Sequence, residues 1–413
     1  MFEPLSDPHS DPHSDPHSDP HSDPRRDPLL RPLLSPVVRP VLRPPDAPLY
    51  VPALPARRSA LDAYDRLPHR VRACVTPLWV VPPRVGRVRT MGRRPSHPLD
   101  PDPAALAAHL GSALHRIGTV QRGRPAWVDA FHVEDEVAHL VPGLRRTPAA
   151  AALRPVTGVE RAVEQQTACA EAARLSGSGL GVRLFLTGLP DERLGDEVGR
   201  LLNRIAFAHC PLDLLLDLGA VVDEHRPAEK WARRALALLG PLHPWRTVVL
   251  LAGSFPPAYP ADYGAPLAEA ERFDWDVWHM LVDGPDRPAE HVVHGDYGAD
   301  HPGSHDRPVE ADGGSPWGIV RYTTERTFLL GRVPTRGPDH ADAVRARARE
   351  IVHAEGFRGD RFSDGERWLL SCATGRGAEG AEGAEGVGTP GVWLRAGHIQ
   401  HMAQVVRALR RRP

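Results

Sequence analysis

Val182-Arg183-Leu184-Phe185-Leu186, a helix-patterned stretch from Asp191 to Phe207, then Leu212-Asp213-Leu214-Leu215-Leu216-Asp217-Leu218: this strand, helix, strand unit decides the fold. Both apolar runs are short and too hydrophobic to face water on either side, so each reads as a strand buried on both faces. The alternation continues C-terminally through a helix over 228–239, Thr247-Val248-Val249-Leu250-Leu251, a helix over 267–281 and His291 to Asp296. Working back, Glu160 to Leu175 is a helix after a strand at Arg154 to Val159. Ala126 to Phe131 is a strand after a helix from Pro103 to Gln121, where Leu106, Leu110, Leu114 and Ile117 are spaced 4, 4 and 3. Val75 to Val81 is the first strand expected. Trp317 to Tyr322 is the eighth, with Thr327 to Val333 as its hairpin partner, and helices over 339–355 and 397–411 close the chain.

Strand-then-helix units pair in parallel, and eight of them between residues 75 and 322 predict a (β/α)₈ barrel of the α/β class. An open doubly wound sheet would carry a Gly-rich turn after its first strand. Here that turn is Pro82-Pro83-Arg84-Val85-Gly86. The expected organisation is a disordered Pro-rich tail over 1–48, a barrel over 49–335, and a helical extension over 336–413 with a flexible loop at 376–390.

The tail repeats Ser-Asp-Pro-His from Ser6 to Pro24, which fixes φ, removes backbone donors and leaves little to bury. Its histidines, His9, His13, His17 and His21, form a weak potential metal-binding array, though an in-frame expansion of a short repeat explains them more simply. Nothing structural is expected before Leu49, so a later start codon is an expectation, which peptides from 6–40 in the native protein would refute. No basic-then-apolar leader and no apolar run of membrane-spanning length occurs. Lys plus Arg number 51 against 52 Asp plus Glu, which argues against binding to nucleic acid or membrane by bulk charge. One lysine, Lys230, leaves 51 − 1 = 50 arginines, so arginine abundance reflects coding bias first. Four scattered cysteines fit no zinc or CxxC pattern and predict reduced thiols in a cytoplasmic protein.

In such a barrel the chemistry gathers at the carboxyl ends of the strands. Asp129, Asp217 and Asp296 lie at or near such ends, and Arg321 ends the eighth strand expected. Asp213 shares a side of its strand with Asp217, and His294 shares one with Asp296. One reading gathers Asp129, Asp217, Asp296 and Arg321 around a ligand. The other has the acids neutralising an arginine in a buried network. His294 is expected as a hydrogen-bonded core histidine. His301 and His305 share a rim with Asp296 and could complete a metal site, although their spacing matches no known metal motif. His398 and His401 share a helix face. No P-loop, nucleophile elbow, HExxH or EF-hand occurs. Arg84 to Arg94 could meet an anionic or nucleic-acid ligand, or be a solvated loop.

The order of several motifs carries a family resemblance. Tyr50-Val51-Pro52-Ala53-Leu54 is followed by Val75-Thr76-Pro77-Leu78, then Asp296-Tyr297-Gly298 with His301-Pro302, and Arg321-Tyr322-Thr323. Phe362-Ser363-Asp364-Gly365 and Trp393-Leu394-Arg395-Ala396-Gly397 lead into His401. Together they resemble the phage-type beta protein family of phages and bacteria, over residues 49–411. The resemblance implies an α/β barrel with no settled activity, and a site including Asp296, Tyr297, Arg321, Tyr322 and His401. Two positions depart from the family pattern. Trp79-Val80 stands where members often have Glu, and Gln400-His401 where they often have two histidines. The catalytic candidates are therefore Asp129, Asp217, Asp296 and His401, and the ligand-binding candidates Tyr297, His301, Arg321 and Tyr322. No metal or cofactor is assigned. The expectation is a ligand- or partner-binding barrel related to mobile elements, without membrane association. A hydrolase acting on a phosphate- or sugar-containing ligand through the Asp cluster is the alternative, and a nucleic-acid binder the second alternative.

Overall fold

The computed structural model describes residues 47–83, 103–132, 152–222, 226–257, 267–288, 291–305, 316–376 and 386–412. The Ser-Asp-Pro-His tail, Arg84 to Arg94 and most of the loop at 376–390 lie outside the described residues. Eight parallel strands close a barrel: β1 (Tyr50–Pro55), β2 (Leu78–Val80), β3 (Ala126–Asp129), β4 (Leu153–Thr157), β5 (Leu180–Phe185), β6 (Leu212–Ala220), β7 (Thr247–Gly253) and β9 (Val292–Asp296). Closure is by β9 on β1, with Tyr50 opposite His294 and Pro52 opposite Asp296.

The barrel is the expected one, but its eighth stave is not. Trp317–Thr323 (β10) pairs antiparallel with Thr327–Pro334 (β11), which pairs in turn with Ala268–Glu271 (β8), in a separate three-stranded sheet. The missing stave is β1, six wholly buried residues at the start of the fold. Its two prolines obscure the strand pattern in sequence, because proline cannot donate to a ladder. β8 was expected as the start of a helix. Ala-Glu-Ala-Glu favours helix locally, and pairing with β11 overrides that preference. The helix proper, α7, then runs from Phe273 to Asp283.

The other barrel helices are α1 (Arg58–Asp65), α2 (His69–Arg72), α3 (Pro103–Gln121), α4 (Val163–Ser176), α5 (Glu192–Ile205) and α6 (Arg226–Leu239). α5 shows why they form. Val198, Leu201 and Ile205 give one buried stripe at spacings of 3 and 4, and the Asp191 side chain caps the Arg193 N–H. α4 stops at Gly177, whose φ of 67° is left-handed and natural to glycine. After the second sheet come α8 (His340–His353), α9 (Asp364–Ala373, capped by Ser363) and α10 (Pro390–Arg410). Sequence periodicity missed α9 altogether. α10 joins two apolar clusters: Ile399, Met402 and Val405 pack into the layer around the barrel, and Val392, Trp393 and Ala396 pack with β10, β11, α8 and α9.

Strand alternation sorts the barrel's own side chains. Leu212, Leu214 and Leu216 face the helices, while Leu215 joins Val51, Leu78, Trp127, Val156, Val249 and Val293 inside. A Cβ on Gly181 would come 2.9 Å from Trp127 Cδ1, so that glycine makes room for the indole inside the barrel. At the amino-terminal end Asp213 accepts hydrogen bonds from Trp127 Nε1 at 2.9 Å and Arg246 Nε at 2.8 Å. That end is a structural plug. The carboxyl end holds the expected acids.

Candidate functional site

Asp129 ends β3, Arg183 sits on β5, Asp217 on β6, and Tyr297 follows β9; all four are buried, and their hydrogen bonds join them at the mouth of the barrel. Arg183 is the hub. Its Nη1 donates to Asp129 Oδ2 at 2.7 Å, its Nε to Asp217 Oδ2 at 2.9 Å, and its Nη2 to the Tyr297 hydroxyl oxygen at 3.1 Å. The Tyr297 hydroxyl donates to Asp217 Oδ1 at 2.7 Å. Arg161, in the connection after β4, holds Nη2 3.3 Å from both Asp129 oxygens. The backbone N–H groups of Phe131 and Gly219 complete the shells of Asp129 and Asp217, at 3.0 and 2.8 Å.

Burial opposes charge at all of these groups, so the pairs decide. Burial alone would raise the Asp129 carboxyl, but Arg161 and Arg183 hold it below the usual carboxylate range. Burial works against the Arg183 cation, yet Asp217, Tyr297 and Asp129 keep its pKa well above normal. Burial and Asp217 push the Tyr297 phenol well up. His305, its ring centroid 5.1 Å from that of Tyr297, is held neutral by burial and then by Arg183. Above the network sits an apolar rim. Phe131 and Phe185 have ring centroids 5.4 Å apart, with the Arg161 and Arg183 guanidinium carbons 4.3 and 4.6 Å over the respective rings. Phe131 and Phe185 are 36% and 37% exposed, and Val163 and Leu189 50% and 66%. These residues end or follow three adjacent strands, β3, β4 and β5.

Asp296 does not join them. As the sequence spacing implied, His294 and Asp296 share a side of β9, but it is the outer side. The expected single cluster of Asp129, Asp217, Asp296 and Arg321 is therefore split, because one step along a strand reverses the face. Asp296 and Tyr297 are neighbours in the chain and belong to different networks. Asp296 Oδ1 accepts from the Tyr50 hydroxyl and from the Gly298 N–H at 2.8 Å. Its Oδ2 lies 2.9 Å from His401 Nε2, and His401 Nδ1 lies 3.0 Å from the Thr323 hydroxyl. Burial opposes the Asp296 charge, but His401, the largest lowering influence, holds its carboxyl below the usual range. His294 stacks on Tyr50 at 5.9 Å and meets the edges of Trp275 and Trp278 at 4.9 and 5.3 Å. Asp274, in the first turn of α7, completes the group. Oxygens of Asp274 and Asp296 and a nitrogen of His294 lie within 4.8 Å of one another, so these three could hold a metal.

The remaining candidates make their contacts away from the barrel interior. Arg321 Nη1 donates to the Ala299 carbonyl at 2.6 Å and lies 3.5 Å from Asp300, pinning the loop after β9. His301 accepts from the Gly303 N–H through Nδ1, and neither His301 nor His305 belongs to the group that brings in Asp296. The Tyr322 hydroxyl meets Glu366 and the Gly356 carbonyl, both at 3.2 Å, on the side of the helical extension. Gln400, standing where the resemblance implies a histidine, clamps both backbone groups of Thr323, at 2.6 and 2.8 Å. Trp79, standing where it implies Glu, packs edge-on against Tyr64 outside the barrel. Sequence reasoning missed Arg183, Arg161, Tyr50 and Asp274. A lone arginine between Val182 and Leu184 was a signal of the same kind as Asp129. Asp274 carries none, since acids in first helical turns are common.

Two cavities of about 420 and 400 Å³ share Val392 and Arg395, and neither is lined by Asp129, Asp217, Asp296 or Arg321. Among the described residues no helix is long and apolar enough to cross a membrane, and all four cysteines are free thiols. The family model described as Beta protein matches residues 50–407, so the chain belongs to that family. No curated protein matches the chain.

Proposed function

Taking that membership as the premise, we propose that the protein is a binding barrel, cytoplasmic and linked to phages and mobile elements, which takes a small ligand or partner at its carboxyl-terminal mouth. One observation carries this reading: Asp129 and Asp217 are held between Arg183, Arg161 and Tyr297. A carboxylate kept ionised by two arginines is a poor proton acceptor at neutral pH, which a general base must not be. The exposed rim of Phe131, Val163, Phe185 and Leu189 supplies the contact area that a binding surface needs. A thermal-shift screen with nucleotides, sugars and aromatic acids tests it. A compound that stabilises the wild type, and fails to stabilise F131A/F185A, is expected. Turnover of a phosphate ester or glycoside that D217N abolishes, with the fold intact, would transfer the site to hydrolysis.

A second reading, an anionic or nucleic-acid ligand, has one observation of its own. The paired cavities are lined by Arg57, Arg58, Arg66, Arg116, Arg367 and Arg395, with Asp62 and Asp364 as acids. It requires affinity for single- or double-stranded DNA that falls steeply with salt. Binding that is flat with salt, or absent, removes it.

A further inference from the structure

We propose that Asp274, His294 and Asp296 form a structural site for one divalent cation of the zinc or manganese class, sealing the seam where β9 closes on β1. The donor set is two carboxylates and one imidazole, a mixture suited to those ions. The supporting observation is a concentration of buried polar atoms without a hydrogen bond, their nearest opposite charges lying 3.5 Å or more away. Asp274 Oδ2 and both ring nitrogens of His294 lack hydrogen-bond partners, in residues 2% and 1% exposed. Unpaired buried polar groups are rare in folded proteins, and three in one place call for an occupant.

The surroundings hold the donors as ligand supports do. The other oxygen of Asp274 accepts from the Ser254 hydroxyl, and Asp296 is fixed by Tyr50, Gly298 and His401. Such outer bonds orient ligating carboxylates. The His294 ring is clamped between Tyr50, Trp275 and Trp278. His294 Nε2 is 3.5 Å from Asp296 Oδ2 and 4.0 Å from Asp274 Oδ2. Those separations are too long for good hydrogen bonds. They suit donors on a common ion once the side chains draw together around it. Arg272, 3.5 Å from Asp274 Oδ2, opposes the ion; its guanidinium carbon lies 5.1 Å over the Trp275 ring. The site is closed and wholly internal, which assigns it to stability and separates it from the mouth.

The test uses the full chain with His9, His13, His17 and His21 replaced by Ala, so that tail histidines do not bind metal. Chelator-treated protein is titrated calorimetrically with ZnCl₂ and MnCl₂. One equivalent per chain is expected, with a raised melting temperature, and D274N should bind at least tenfold more weakly. Should D274N fail to fold, pulsed electron paramagnetic resonance of the Mn²⁺-loaded parent decides, with coupling to a single imidazole nitrogen expected. No stoichiometric binding by the parent overturns the proposal and leaves the orphan atoms to water. Retained binding in a folded D274N, or coupling to no nitrogen or to several, overturns it as well.

Discussion

The barrel interior and its outer wall solve one problem, the burial of two aspartates, in opposite ways. Inside, Asp129 and Asp217 are answered by permanent cations, and every acceptor position is filled by Arg183, Arg161, Tyr297 or a backbone N–H. Outside, Asp296 is answered by a hydroxyl and an imidazole, Tyr50 and His401, and Asp274 by the Ser254 hydroxyl and, at 3.5 Å, by Arg272. The inner carboxylates are fully bonded, although both ring nitrogens of His305 beside Tyr297 lack hydrogen-bond partners. The outer network contains unsatisfied atoms. The lesson is that a buried acid does not by itself mark a catalytic site, and that its partners tell whether it is finished structure or unfinished.

The comparison breaks most visibly at Arg183. R183M leaves Asp217 without a cation and Asp129 with Arg161 alone, and losing one partner of a buried ion pair typically costs about 3–5 kcal/mol. Urea denaturation should show that loss, and D217N in the same chain should restore part of it. If R183M is as stable as wild type, the inner network is not the closed unit described. Protons test both regions next. Burial, and then Arg321, pushes His398 down to about 3, and burial holds His305 well below its ordinary value. Unfolded histidine binds a proton near pH 6.5, so below that the unfolded chain takes up protons that these two refuse. Stability is therefore full above about pH 6.5 and falls as pH drops toward 3. Asp129 and Asp296, both depressed, add a further loss below about pH 4. Urea midpoints at pH 7.5, 5.5 and 4.5 should fall in that order, and H398Q should flatten the first step.

How much of this the sequence carried depends on range. Buried parallel strands are written in consecutive residues, and β5, β6 and β7 were legible from Val182, Leu214 and Val249 alone. β1 was visible only as a family motif, because Pro52 and Pro55 disguise it, and β10 was taken for its place in the barrel. Alternation correctly put Asp213 with Asp217 and His294 with Asp296. It does not say which side is the inside. That is fixed by β9 closing on β1 across 244 residues (294 − 50), a long-range fact outside any local window. Asp296 and His401 entered one candidate site through the resemblance, and their 2.9 Å pairing through the fold.

The finest probe is one chemical change made on each side of the same seam. Y50F removes a hydroxyl from Asp296 Oδ1, leaving that oxygen the Gly298 N–H. A lost bond to a charged group costs about 1.5–3 kcal/mol. Y297F removes a hydroxyl from Asp217, which keeps Arg183 and the Gly219 N–H. An acid that retains its cation should lose less, about 0.5–1.5 kcal/mol. Urea titration of both variants at pH 7.5 compares them directly. Y50F costing more than Y297F means that the interior is redundantly satisfied and the wall is not. The reverse order would mean that the Tyr297 hydroxyl holds Arg183 in place, and the inner network would then rest on the phenol as much as on its ion pairs.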